Sequence, residues 1–452
     1  MIKIILFLIS VISIYASQPM PNKSLTLTQA LEKLNKQNLE IKASALDVKS
    51  AQAKKNTASG NHWGKLDLIQ DIVNSDDAGN VFGFKVTSKE ATFGDFGFSE
   101  FDGTNPNILN VAPKDLNYPE ARTLYQTKLK YEVPLFAGFQ ISSYSEILNL
   151  MIKMKSLDKD KVVNEKRYQL KKSYYDMSLL DSSISNLSTV LKNIETLENT
   201  TQNMIDVGYA KKVDLLEVKA KKGNVERLVS QMKYNKKLLY QYISFLLNEK
   251  VTLIDTPEVN IEIPTVSDEN ILNNNIDIQR ADIGYKITDN MANVSESAFY
   301  PMVGAFAEVA TSDDTFLGEA NNHKSYTIGA RLQWNLFNGG VDYNKVQEAK
   351  IQKLKVHSQT QLARHGIKLK IAKLRTEIET QDSEIESLKK ELKLADAIYE
   401  NYEGRYKEKL SSMSDVIIKQ SEQIQKILQL QQAQNKRNER IFALIKLANG
   451  DR

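Results

Sequence analysis

Leu135-Phe136-Ala137-Gly138 returns as Leu336-Phe337-Asn338-Gly339, an offset of 201 residues. The same offset carries Asp214 onto Asp415 and Leu246 with Asn248 onto Leu447 with Asn449, so two stretches of more than a hundred residues align without a net insertion. An internal repeat on this scale fixes the reading of everything around it. Upstream, Asn38-Leu39-Glu40-Ile41 pairs with Asn275-Ile276-Asp277-Ile278, and Trp63 with Tyr300, at an offset of 237. The 36 residues by which the offsets differ lie between Trp63 and Leu135. There, Asp76-Asp77-Ala78-Gly79-Asn80 and Gly103-Thr104-Asn105-Pro106-Asn107 supply turn chemistry for one long loop. Residues 248–268, with Pro257 and Pro264 and little helical period, read as the linker between a first repeat at 17–247 and a second at 269–452.

Immediately before each Leu-Phe motif the chain alternates. Tyr326, Ile328, Ala330, Leu332, Trp334 and Leu336 fall on one face, and Ser325, Thr327, Gly329, Arg331, Gln333 and Asn335 on the other. Period two is the signature of a strand. Its counterpart sets Tyr125, Thr127, Leu129, Tyr131 and Val133 against Gln126, Lys128, Lys130 and Glu132. Weaker strands at about 65–73 and 302–311 complete two hairpins, placed at about 63–134 and 300–336. Tyr326 and Trp334 stand roughly 27 Å apart at about 3.4 Å per residue, close to the height of a barrel's apolar band. A half-buried sheet in a soluble domain alternates in the same way. The rest of each repeat, however, offers no broad apolar surface to cover such a sheet. Four strands cannot close a barrel, so in lipid closure requires several chains; three copies leave room for a passage where two fill the interior.

After each hairpin the period changes. Leu374, Ile378, Gln381, Ile385, Leu388, Leu392, Ala395, Tyr399 and Tyr402 keep spacings of four and three, as do Ile184, Leu187, Leu191 and Ile194 in the first repeat. This is a coiled-coil seam. The segments from Gly138 to Gly208 and from Gly339 to Lys409 would each extend roughly 100 Å at about 1.5 Å per residue. Return helices follow from about Asp214 and Asp415, the latter with an apolar stripe Ile417, Ser421, Ile424, Leu428. The long helices are placed at about 138–247 and 340–448.

Composition agrees with long solvated helices: 60 basic against 56 acidic residues, nine prolines and 19 glycines in 452 residues, and no cysteine. The absence of thiols excludes disulfides and N-terminal lipid attachment. Lys3, the apolar run from Ile4 to Ile14, and small Ala16 and Ser17 read as a secretory signal, residues 1–16. No later segment is apolar for the length a membrane helix needs.

Val133-Pro134-Leu135-Phe136-x-Gly138, Trp334-Asn335-Leu336-Phe337-x-Gly339-Gly340 and Val207-Gly208-Tyr209 leading to Val213-Asp214-Leu215-Leu216 resemble the TolC-like outer-membrane efflux factors over nearly the whole mature chain. The resemblance implies a mainly α fold with a β-barrel part, built as a homotrimer. A twelve-stranded barrel would lie in the outer membrane and an α-helical barrel in the periplasm. It further implies docking of the helical tips to a periplasmic adaptor, or membrane fusion protein, and an inner-membrane transporter. The chain would then be a passive exit duct for efflux or type I secretion. A periplasmic coiled-coil adaptor without a pore is the alternative, and it would not need the two amphipathic hairpins.

By the same resemblance, Asp415, Tyr406 and Asp214 are candidates for the pore constriction, and Gly208, Tyr209, Lys211, Lys212, Lys409, Ser411 and Ser412 for the docking tip. Lys409 stands where the family usually has glycine, so the second turn is expected to differ from the first. An aspartate between a turn and a helix is also an ordinary cap, and Ser411, Ser412 and Ser414 can cap beside Asp415. Glu217 reads as a solvated position. Phe82, Phe84, Phe93, Phe96, Phe98 and Phe101 crowd the long loop and are expected to pack as a local cap. His357 and His365, eight apart on one helix, are too distant to chelate one ion; no metal, cofactor or catalytic signature is read from the chain.

Overall fold

The structure, a computed structural model, describes residues 24–257, 261–318 and 320–449; the expected secretory signal lies outside them. In chain order, α1 (Leu27–Gln37) and α2 (Leu39–Gly60) precede β1 (Lys65–Ser75). A long connection carrying α3 (Ala78–Thr87) and α4 (Lys114–Asn117) leads to β2 (Arg122–Ala137), and α5 (Gln140–Asp206) and α6 (Lys212–Leu247) follow. The pattern then repeats as α7 (Asp268–Asn274), α8 (Ile276–Glu296), β3 (Met302–Asp313), β4 (Lys324–Gln333), α9 (Val341–Lys407) and α10 (Met413–Leu447). The β1–β2 connection, 76–121, exceeds the β3–β4 connection, 314–323, by the same 36 residues that separate the two sequence offsets.

The chain divides into two compact units. One holds the described residues up to 46, with 156–280 and 361 onward; the other holds 47–155 and 281–360. In the second unit the four strands form one antiparallel sheet in the order β1-β2-β3-β4, so the two repeats meet at β2–β3 and the outer edges of β1 and β4 are left open within the chain. Register slips once, between Pro134 and Phe136. Proline has no N–H to give to a ladder, and a bulge is where a strand tolerates it.

The repeated glycines explain themselves here. Gly138 and Phe139 both take positive φ, as do Gly339 and Gly340, turning each strand into the long helix behind it. A Cβ on Gly138 would stand 2.6 Å from the Ser297 carbonyl oxygen, so only glycine fits.

In the first unit, the seams of α5 and α9 bury Leu187, Ile194, Leu197 and Tyr399 against Val218, Val225 and Val229 of α6 and Val416, Ile424 and Ile427 of α10, four helices around one apolar cluster. The stripe on α10 departs from the sequence reading. Ile417 and Leu428 only flank the core, while Val416, Ile424 and Ile427 line it, and Gln420 is fully buried with neither side-chain polar atom bonded. A helix packed on more than one side buries a wider arc than a single heptad stripe describes. Lys236–Asp181 and Arg437–Asp382 pair across the two helical hairpins at the repeat offset.

The asparagines of the upstream motif are buried joints. Asn38 Nδ2 donates to the Leu246 carbonyl at 2.8 Å, and its Oδ1 accepts from the N–H groups of Glu40 and Ile41. Asn275 does the same with Leu447, Asp277 and Ile278. One side chain thereby satisfies the orphan donors of a helix start and an orphan carbonyl of a helix end. Asn248 and Asn449, also at the repeat offset, follow those helix ends with positive φ.

Candidate functional site: one apolar sheet face and the helix turns

Register turns the alternation of single strands into two uniform faces. Leu68, Leu129, Val309 and Tyr326 form one row across the sheet, and Leu66, Tyr131, Ala307 and Ile328 the next. These residues share a face, and its large side chains stand in the open: Leu68 is 74% exposed, Ile328 75% and Tyr326 78%. On the opposite face the rows read Asp67, Lys130, Glu308, Thr327 and Asp71, Gln126, Ser312, with Lys128 bonded to Asp71 at 2.9 Å. On this face a recess of about 510 Å³ is lined by Lys130, Glu132, Glu308, Thr327 and Arg331 together with Pro134, Phe136 and Phe306. A soluble sheet turns its apolar face to a core; this one turns it outward, opposite a charged face.

Aromatic residues gather where the strands begin and end. At the helix end of the sheet, Trp63, Phe139, Tyr300, Trp334 and Phe337 are all exposed, with Phe139 stacked edge-on to Phe136 and Tyr300. Trp334 Nε1 donates to the Phe299 carbonyl at 3.1 Å and Tyr131 Oη to that of Trp63 at 2.5 Å. At the other end Tyr125 meets Phe316 and Tyr326 projects freely. Amphipathic rings in two belts around an apolar band are what a membrane interface selects. Among the described residues no helix is long and apolar enough to cross a membrane.

Beyond this second belt lies the long β1–β2 connection. Its aromatics pair edge-on, Phe82 with Phe96 and Phe93 with Phe98, while several stay largely exposed. Asp95 ties the loop: the Lys85 ammonium and the Thr92 N–H bonding its carboxylate pull its pKa down to about 2. Asp313 and His323, at the two ends of the β3–β4 turn, come together here with Glu90, which is remote in sequence. No spacing rule could have joined Glu90 to the other two, because the β3–β4 turn and the long connection meet only through the sheet.

The two tip turns have the same backbone. Gly208 N–H bonds the Ile205 carbonyl and Tyr209 N–H that of Met204; Lys409 and Leu410 repeat this with Tyr406 and Arg405. Lys409 holds φ at +64°, close to the +83° of Gly208, so the expected difference between the turns does not exist in the backbone. Its ammonium sits 3.2 Å from the ring centroid of Tyr209, a cation–π contact between the turns. Ser412, not Asp415, is the N-cap of α10. Asp415 stands at the third helical position, accepting from Ser412 N–H and Oγ on one oxygen, Oδ2, in a capping box. Those bonds hold the Asp415 carboxyl below its ordinary range. Asp214 likewise accepts from the Lys211 N–H at 2.8 Å. Tyr406 is buried in the four-helix cluster, its hydroxyl 3.5 Å from Thr201 Oγ1. Glu217 accepts from Ser414 Oγ, joining the first residues of α6 and α10. Lys211, Lys212 and Ser412 are exposed at the same turns and Ser411 is half-buried. Of the isolated histidines, His357 packs its ring on Tyr285.

The family model described as Outer membrane efflux protein matches residues 269–450. The second repeat belongs to the outer membrane efflux protein family. The first repeat carries the same order of elements at the same offsets, and structural comparison extends the likeness across the chain. The Campylobacter jejuni CmeC outer membrane channel superposes with a TM-score of 0.75 at 14% identity, covering 96% of this chain and 90% of that one. The outer membrane protein VceC of Vibrio cholerae gives 0.76 at 13% identity, covering 94% and 96%. The Neisseria gonorrhoeae MtrE outer membrane channel in its open state gives 0.73 at 14% identity, covering 94% and 89%. A comparison with curated protein sequences gives no match. The chain shares with these proteins a fold that is mainly helical with a small antiparallel sheet.

Proposed function

We propose that this chain is the outer-membrane exit duct of a tripartite efflux or type I secretion assembly, spanning from the outer membrane into the periplasm. The observation that carries the reading is the exposed apolar sheet face backed by a charged one. In lipid the open edges of β1 and β4 must find partners, and a second copy of the same sheet supplies them. Three copies close twelve strands, wide enough to leave a polar passage lined by Lys128, Lys130, Glu132, Glu308 and Arg331. Conduction is passive: the chain offers a path, and an inner-membrane transporter with its periplasmic adaptor supplies energy and choice of cargo. The adaptor docks at the tips, on Gly208, Tyr209, Lys211, Lys212, Lys409, Ser411 and Ser412.

Within the duct, Asp415 and Asp214 line the narrow periplasmic end. The capping bonds of Asp415 fall on Oδ2, which leaves its other oxygen out of the capping box, and threefold repetition of the carboxylate at the narrow end would make a cation-selective ring. Tyr406 supports that ring from behind, through the core. Single-channel conductance of the purified protein in planar bilayers tests both levels. Wild type should conduct with a cation preference that falls in Asp415→Ala. Conductance with unchanged selectivity keeps the duct and returns Asp415 to a helix cap, whereas failure to insert refutes the duct. Charge reversal at Lys211 and Lys212 should abolish export in cells while leaving conductance intact.

A further inference from the structure

An imidazole and two carboxylates converge at the loop end of the sheet from three stretches of chain. Asp313 closes β3, His323 stands just before β4, and Glu90 follows α3 in the long connection. One ligand atom of each lies within 4.8 Å of the others, and His323 Nδ1 is 3.9 Å from Asp313 Oδ2. Neither Asp313 nor His323 is a surface group; their side chains retain 6% and 11% of their exposure. Asp313 is buried while Glu90 keeps 29% of its side-chain exposure, and a cation between the two carboxylates would offset their mutual repulsion. Arg122 bonds Glu90 through its guanidinium, which also lies 3.6 Å from Asp314. Asp313 Oδ1 accepts the Asp314 N–H at 2.7 Å, and Oδ2 is the atom turned toward the imidazole.

The surroundings hold the three groups in place. His323 Nδ1 lies 3.2 Å from the Ser312 carbonyl oxygen, the kind of backbone partner that orients an imidazole whose other nitrogen, here Nε2, binds a metal. Beside Glu90, Lys89 holds a positive φ and donates Nζ to the Lys324 carbonyl at 2.5 Å, and Thr311 Oγ1 donates to the Ala320 carbonyl. The Lys89 bond thus joins the long connection to the start of β4, and the Thr311 bond braces the β3–β4 turn itself.

We propose that Glu90, Asp313 and His323 form a divalent transition-metal site of the zinc class, which ties the long connection to the β3–β4 turn. One nitrogen and two carboxylate donors suit zinc, and the imidazole speaks against calcium or magnesium, which prefer all-oxygen shells. With three protein ligands a tetrahedral ion keeps water in the fourth position. Ligand atoms around zinc at about 2.1 Å stand roughly 3.4 Å apart, so binding draws the cluster in by about an ångström. The flexible side chain of Glu90 can supply most of that movement by leaving Arg122 to Asp314.

Isothermal titration of the EDTA-stripped, full-length protein with zinc chloride tests this, with His323→Ala and Asp313→Asn as variants. The expected result is one ion per chain for wild type and at least tenfold weaker binding for each variant, with the oligomer unchanged on size exclusion. Absence of one-per-chain binding overturns the proposal, as does a His323→Ala protein that binds like wild type, since His62, His357 or His365 would then carry the metal. Should Asp313→Asn fail to fold, cobalt decides: visible tetrahedral bands in wild type that vanish in His323→Gln support the site, and bands that persist refute it.

Discussion

At the residue scale, the repeated positions are those where the backbone asks for something few side chains give. Asn275 is buried and satisfies one carbonyl and two N–H groups at a helix junction. Alanine there leaves these groups unpaired in the interior, and Asn275→Ala should lower unfolding free energy by about 2 kcal/mol in denaturant titration, as should Asn38→Ala. Lys409 illustrates the opposite case, a position filled by an unexpected residue. A non-glycine residue at positive φ costs about 1 kcal/mol or more, and the contact with Tyr209 returns about 0.5–1 kcal/mol. Lys409→Gly should therefore be close to neutral on thermal unfolding, whereas Lys409→Ala, which keeps the strain and loses the ring contact, should destabilise. For Asp415 the sign follows from its lowered carboxyl. A depressed folded pKa gives a contribution present above the ordinary carboxylate value and lost as pH falls through the lower, folded one. Cation preference in bilayers should accordingly hold between about pH 7 and about pH 5 and disappear only below about pH 4.

At the scale of elements, the strands were legible because period two reports faces directly: Ser325 to Leu336 reads as a strand in the sequence, and β4 runs from Lys324 to Gln333, ending before Trp334. What no single strand carries is register, and only register reveals that Leu68, Leu129, Val309 and Tyr326 share a row. Ile328→Lys, on the apolar face, should cost about 2–4 kcal/mol near the bilayer midplane and reduce the amount of protein recovered in membranes. Thr327→Lys, one residue away on the polar face, should insert normally. Helices were legible in extent but less so in orientation. The seam of α9 was visible in its heptads, whereas α10 packs Gln420 into the core, and an amide in an apolar stripe gives no hydrophobic signal to read. The turn at Lys409 was hidden for a related reason: the hydrogen-bond pattern around it sets φ, not the residue type. Glu90 could not be joined to Asp313 and His323 from the sequence, because only the fold brings the long connection to the β3–β4 turn.

For the molecule as a whole, duplication is the dominant fact. Two repeats place four strands side by side, one hairpin each, and leave two unpaired edges of opposite ends of the chain. A sheet with an exposed apolar face and open edges is unfinished as a monomer, both as a membrane structure and as a soluble one. The partners that β1 and β4 take therefore decide whether the sheet closes into a barrel. Within one chain these strands are separated by two others, about 14 Å at about 4.8 Å per strand, so a short bridge between them can form only between copies. The protein has no native cysteine, which makes the measurement clean. Cysteines introduced at Leu68 and Ile328 and joined in membranes by a short bis-maleimide should give covalent dimers and trimers and nothing larger, with single substitutions giving no trimer. A ladder that stops at dimers, continues past trimers, or never forms although both cysteines react would contradict the closure of three sheets into one barrel.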